Sequence, residues 1–402
     1  MSDHQLLPTE IWLQILELVV VASGQHIQQS VYIPFQSTPG DVRDSSSKRH
    51  ALPLVCQKWR LWSTELLYRD IRIRHGARAL REVLDRPAGW QEGYGKWVRR
   101  VVLPYPSTVT GPTLTQTLTS IEILKLCPHI ETLIRPRFLL AEGLRFEFDA
   151  ESLPLPSLRR LEWWHNNEAE RSGGINSLGA VLRCAPNLEY LFVGGVVGLS
   201  YIGLDKDPIC LPTLQTLRIH LINGLLLRQI VTRWSLPALT RVITDSPVAE
   251  QGLDSVWETF GPQLKTVEFG KHMRFLLTDN ISPCLKHCPS LEEFNYYLFF
   301  TEIPKATESH ATLTTVGLNA AVNSFLVDGE SVWSHLASHF DAWGGTTFPA
   351  LRRIVLYGDW RSIIAHPRFP SLYKELQDRR HLLRVIAHQS TLNAELSRVT
   401  GC

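Results

Sequence analysis

One short phrase recurs along the chain and limits what it can fold into: proline, any residue, an aliphatic, two more residues, then an apolar residue. It reads Pro128-His129-Ile130-Glu131-Thr132-Leu133 and again Pro156-Ser157-Leu158-Arg159-Arg160-Leu161. Further copies start at Pro186, Pro212, Pro237, Pro262, Pro289 and Pro349, and Thr312-Leu313-Thr314-Thr315-Val316 keeps the pattern without its proline. The first aliphatics of these nine copies run from Ile130 to Leu351, in steps of 28, 30, 26, 25, 25, 27, 22 and 38 residues. A period in that range marks a stack of strand–helix turns, each burying its aliphatics only against its neighbours. The recurring proline ends the preceding helix and sets an extended entry into the next strand. Helical patterns return between phrases, at residues 178–183, 226–231, 253–260 and 332–340.

Alternation along each strand assigns the remaining residues. If the first aliphatic and the next two apolar positions point inward, the residues between them project on the opposite, concave side. That side then carries Arg160, Glu162, Trp164, Phe192, Arg218, His220, Glu268, Asn295 and Tyr297. Exposed aromatic and arginine side chains dominate binding hot spots, so these nine are candidates for contact with a protein ligand. Loops or the C-terminal segment folding over them is the alternative. Residues 372–396 read as a final charged helix, a polar cap on the open end of the stack.

The N-terminal segment differs. Leu7 to Val19 reads as a helix, with Thr9 as cap, Pro8 before it and Glu10 at the positive end of the dipole. Ile11, Ile15, Leu18 and Val19 fall on one stripe. Residues 25–50 are rich in Gln, Ser, Pro and Gly without periodicity, and read as a flexible surface loop. A second helical stretch begins at Leu52 and runs towards Ile71, with Val55, Trp59, Trp62 and Leu66 sharing a face. Helices this short cannot bury both faces alone; they need another surface.

Leu7-Pro8-Thr9-Glu10-Ile11, then Ile15-Leu16, then Leu52 to Trp59 with its Val55-Cys56-x-x-Trp59, then Leu66 to Ile71, resembles the F-box motif in order and spacing. The departure is the connection between the first two helices, about 29 residues from Ala22 to His50 where the family has a short one. Loop-closure entropy rises only about 0.6 kcal/mol per doubling of length, so the insert is compatible with the fold. The resemblance implies that Leu7, Pro8, Ile11, Ile15, Leu16, Val55, Cys56, Trp59 and Leu67 contact a Skp-family adaptor, and through it a cullin. The remainder is similar to the leucine-rich-repeat tails of divergent, fungal-type F-box proteins, although the closing Asn of that repeat is seldom present. The expected class is α/β: F-box-like helices over 1–72 with the insert at about 22–50, an irregular leucine-rich-repeat-like solenoid over 73–360 and a helical cap over 361–402. Those relatives recognise a protein substrate for ubiquitin-dependent degradation and carry no catalytic residue. A scaffold unattached to any ligase is the alternative.

Composition excludes other classes. A formal net charge of +2 argues against nucleic acid as the main ligand. Lys58, Arg60, Arg69, Arg72, Arg74, Arg78 and Arg81 form a local basic excess, read as a solvated face or a surface for an acidic partner. Seven scattered cysteines are no disulfide framework and suit a reducing compartment, cytoplasmic or nuclear. No secretory leader or membrane span is expected. Cys284, His287 and Cys288 could suggest a metal, but Cys127 and Cys288 directly precede their phrase prolines, so small buried residues at helix ends are expected and no cofactor. No nucleophile elbow, phosphate loop, zinc-protease motif or dinucleotide glycine pattern is found, and Gly194 to Gly198 follows a repeat strand as a turn.

Overall fold

The computed structural model describes residues 7–22, 32–37, 51–73, 77–88, 91–103, 120–137, 150–196, 208–246, 252–271, 273, 279–305, 308–320, 329–378 and 382–385. Packing divides the chain into two units: residues 1–32, 38–195 and 200–213, and residues 33–37, 196–199 and 214–402. Both are α/β with parallel strands. In the first, β1 (Asp70–Arg72), β2 (Arg100–Val102), β3 (Thr132–Arg135), β4 (Arg160–Trp164) and β5 (Tyr190–Gly194) pair in sequence order. In the second, β6 (Thr216–His220), β7 (Arg241–Thr244), β8 (Thr266–Phe269), β9 (Glu293–Tyr297), β10 (Thr315–Ala320), β11 (Arg353–Gly358) and β12 (Leu382–Val385) do the same.

The phrase sets the register. At nine strand entries, two consecutive backbone N–H groups donate to one carbonyl of the preceding turn: Arg99 and Arg100 to Arg69, Glu131 and Thr132 to Arg99, and onward to Arg352 and Arg353 on Thr314. The residue just before the first aliphatic of the phrase adds a side-chain rung at three turns. Asn187 donates to the Pro156 carbonyl at 2.8 Å, Thr213 to Pro186 at 3.2 Å and Thr312 to Pro289 at 2.7 Å. These rungs satisfy proline carbonyls at the strand entries.

With register fixed, the aliphatics stack in rows. Ile71, Val101, Leu133, Leu161 and Leu191 form one in the first unit, and Leu217, Val242, Val267, Phe294, Val316 and Ile354 one in the second, all buried. Burying each such side chain stabilises by roughly 1.5–3 kcal/mol. Helices cover this face of the second unit: Trp257 of helix Gly252–Phe260 lies 6.2 Å from the Phe269 ring, and Trp343 of helix Glu330–Gly344 lies 6.3 Å from Phe294. The second and fourth residues of these strands therefore face helices, and the third and fifth face away.

The first helix, Thr9–Ala22, has Thr9 as its first turn residue and not as its cap: the Pro8 carbonyl accepts the first helical bonds, from Ile11 and Trp12. The second helix, Gln57–Tyr68, packs on it through Leu16 and Leu52, with Trp59, Trp62 and Leu66 at the edge of that cluster. Trp12 and Trp59 meet at 5.6 Å between ring centres. Three further expectations need correction. The stretch through Ile71 does not stay helical: Asp70–Arg72 is already the first strand, held to β2 by the Arg100–Asp70 ion pair at 2.7 Å. The last helix does not reach 396 but ends at Asp378, and Leu382–Val385 adds a strand beside β11. Residues 33–37 of the insert, read as surface loop, are seated on the sheet of the second unit, to which they belong. Apart from Tyr32, the rest of residues 23–50 lies outside the described residues, as do 386–402.

Candidate functional site

Two surfaces stand out, one in each unit. In the first, the N-terminal helices leave apolar side chains uncovered. Of eleven exposed large apolar residues among those described, eight belong to the N-terminal helices and the turns before them: Leu7, Ile11, Leu13, Leu18, Val19, Leu54, Val55 and Leu61. Leu54 is 83% exposed and Leu61 76%, beyond what scattered surface residues need. The reason is visible in the first helix, Thr-Glu-Ile-Trp-Leu-Gln-Ile-Leu-Glu-Leu-Val-Val-Val-Ala: it is apolar on more than one side, and among the described residues the apolar cluster forms on its Leu16 side. Of the residues expected to contact an adaptor, Leu7, Pro8, Ile11, Val55 and Cys56 are exposed, and Ile15, Trp59 and Leu67 are half-buried. Leu16 is fully buried against Leu52, so its role is internal to the helical unit; this corrects its place among the contacts.

In the second unit the site is built on the third and fifth residues of successive strands. One row runs Arg218, Ile243, Glu268, Asn295, Gly317, Val355; the next holds Tyr297, Asn319 and Tyr357, with Asp245 just past β7 and Gly270 just past β8. Asp245 grips the Arg218 guanidinium through two oxygens, at 2.5 Å to Nε and 2.8 Å to Nη2. Such a bidentate pair fixes the plane of the fork. Its remaining N–H groups point at the segment 33–37, where Nη2 donates to the Gln36 carbonyl at 2.8 Å and Nη1 to that of Ser37 at 3.3 Å. Glu268 accepts the Phe35 N–H at 3.0 Å. The Phe35 ring stands edge-on to Tyr297, 5.1 Å between centres, and 5.2 Å from Tyr357, separations at which aromatic pairs attract.

Electrostatics and shape agree with a closed seat. Burial, then the carboxylates of Glu268 and Asp245, pushes the Tyr297 phenol up to about 12, and burial with Glu293 and Glu268 does the same at Tyr357. Both rings therefore stay neutral and present apolar faces. Gly270 matters to the geometry, because a Cβ there would come within 2.9 Å of the Asp245 Cα. Phe35 itself has φ 60°, a left-handed conformation that costs a residue with a Cβ roughly 1–2 kcal/mol. Pro34 before it and the positive φ after are the pattern of a type II turn.

The nine residues expected on the open strand face are therefore not an open surface. Glu162, Trp164, Phe192, Arg218, His220, Glu268 and Asn295 are buried, and Arg160 and Tyr297 half-buried. The structure brings Arg218, Glu268 and Tyr297 together around Phe35. Arg160, Glu162, Trp164 and Phe192 form a separate group in the first unit, with Arg160 on Glu162 at 2.7 Å and the Trp164 and Phe192 rings 5.2 Å apart. Sequence reasoning missed Asp245 and Tyr357, although both sit eight residues after a phrase proline, as Tyr297 does. No signal in the sequence linked residues 33–37 to them.

Cys284 and Cys288 lie buried with sulfurs 3.9 Å apart, and burial holds the Cys284 thiol well above its ordinary value. Among the described residues no group of three or more His, Cys, Asp or Glu is arranged to hold a metal ion. Nor is any helix among them long and apolar enough to cross a membrane. Compared with known proteins, the chain matches no family model, and no curated protein shows significant similarity to it.

Proposed function

We propose that this chain is the substrate-recognition subunit of a cullin-based, SCF-type ubiquitin ligase, with F-box-like helices that bind a Skp-family adaptor and a leucine-rich-repeat-like solenoid that receives a protein substrate. The observation that carries the reading is the uncovered apolar set on the N-terminal helices: Leu7, Ile11 and Val55 of the motif are exposed while Leu16 and Leu52 use the opposite side for folding. Apolar surface of that kind is stabilised by a second polypeptide. The outward-facing residues of the strands supply the other half, an aromatic and charged surface able to hold a peptide. The chain itself contributes no catalytic group. It raises the local concentration of a target's lysines near the loaded conjugating enzyme, which converts an encounter between two proteins into an intramolecular step.

Binding of purified Skp-family adaptor to the full chain tests this directly. The Ile11→Ala/Val55→Ala double variant changes two exposed side chains, so its fold should persist while adaptor affinity drops by about tenfold or more. An intact double variant that binds as tightly as the native chain removes these residues from the interface. A native chain that captures no adaptor favours the other reading, a scaffold outside any ligase, which the long connection between the two helices also suits.

A further inference from the structure

We infer that the seat formed by Arg218, Asp245, Glu268, Tyr297 and Tyr357 is a binding site for a protein segment that turns through an aromatic residue, and that Ile33–Ser37 is a built-in mimic of that ligand. The inference rests on reading the strand face as the part that receives substrate, and adds the chemistry of what is received. The occupant defines the ligand. Its Phe35 ring packs against both Tyr297 and Tyr357. Its main chain is held as well: Glu268 takes the N–H of the aromatic residue, and Arg218 takes the carbonyls of the next two. Recognition thus reads an aromatic side chain together with the backbone direction of the segment.

The seat has its own internal supports. Asp245 holds the Nε–Nη2 edge of Arg218 and leaves the Nη1–Nη2 end for residues 36 and 37, Gly270 leaves Asp245 its room, and a Cβ at Gly317 would come within 3.0 Å of the Tyr357 ring. The segment, by contrast, holds a strained Phe35 backbone and meets Arg218 through the carbonyls of Gln36 and Ser37. A seat complementary to a main chain and an aromatic ring is open to any segment with those features. The internal copy competes because it is tethered, and it lowers the apparent affinity for a partner by the fraction of time it is in place.

The test uses a fluorescent, acetylated and amidated peptide of residues 33–37, with the full chain in three forms: native, Phe35→Ala, and one with residues 33–37 replaced by Gly and Ser at equal length. The peptide should bind both altered forms at least about tenfold more tightly than the native chain. Adding Arg218→Ala to the replaced form, or exchanging the peptide's phenylalanine for alanine, should abolish binding. Equal binding to all three folded forms, or none to either altered form, overturns the inference; far-ultraviolet circular dichroism checks folding in each case. Adaptor capture by the same proteins separates this from the ligase reading. Captured adaptor without peptide binding sinks only the inference, and peptide binding without captured adaptor sinks only the ligase assignment.

Discussion

His339 shows how much a single buried side chain can be constrained. The Trp343 indole can only donate, and it donates to the Tyr296 hydroxyl at 2.7 Å. That hydroxyl turns its own hydrogen to His339 Nδ1, 2.8 Å away, which leaves the ring proton on Nε2, facing the Thr301 carbonyl at 3.2 Å. The imidazole is complete as a neutral group. Burial, then the neighbouring His335, pulls its pKa from 6.5 down to about 3, against the weaker upward pull of the Thr301 hydrogen bond. The folded value is depressed, so the stabilisation is whole above the unfolded value and drains away as pH falls from about 6.5 towards about 3. Urea unfolding at a series of pH values should show stability declining by roughly one kcal/mol per pH unit in that window. His339→Gln should flatten the decline; an unchanged slope in that variant would assign the acid sensitivity elsewhere.

At the scale of the strand, one residue past the end of β8 decides where a charge goes. Gly270 donates its N–H to Thr244 at 2.8 Å and leaves open the space that the neighbouring Asp245 carboxylate fills on its way to Arg218. Gly270→Ala should therefore lower the thermal midpoint, by the roughly 1–3 kcal/mol that overpacking costs, and weaken the Arg218 grip on residues 36 and 37. A midpoint equal to the native one would show that Asp245 relaxes freely. The strands also show what the sequence made legible and what it hid. Pro-x-Leu-x-x-Leu located the strands from β3 to β11, because the inward rows repeat at fixed offsets from the proline. It even held Asp245 and Tyr357 in rows already recognised at His220 and Tyr297. It did not reveal the partner of Arg218, since residues 36 and 37 lie 182 and 181 positions away with no shared pattern. The last strand was misread because Leu382-Leu383-Arg384-Val385 follows a helical stretch with no phrase proline to interrupt it.

For the molecule as a whole, the N-terminal helices and the first strand are not separable parts. The helix Gln57–Tyr68 runs within two residues into β1, and the Arg69 carbonyl between them accepts from Arg99 and Arg100. Removing residues 1–72 would strip β1 from β2, leave Arg100 without Asp70, and expose a row of unpaired strand groups that invites association. It would also remove residues 33–37 from the second unit. The truncated chain should show rapid hydrogen exchange at Arg100 and a larger mass by light scattering, whereas Ile11→Ala/Val55→Ala should change neither. Protection of Arg100 in the truncated chain would show that the first unit begins at β2.

The nine forked contacts at the strand entries are made entirely by main-chain atoms. Almost any residue can stand at such a position without disturbing the stack, and the eighteen that do include Arg, Glu, Lys, Thr and Tyr. Proline alone is barred, because it has no hydrogen to give. A chain held this way can exchange most of its surface vocabulary while its architecture persists, so kinship with other proteins would survive in the spacing of its prolines and leucines long after it had faded from the letters between them.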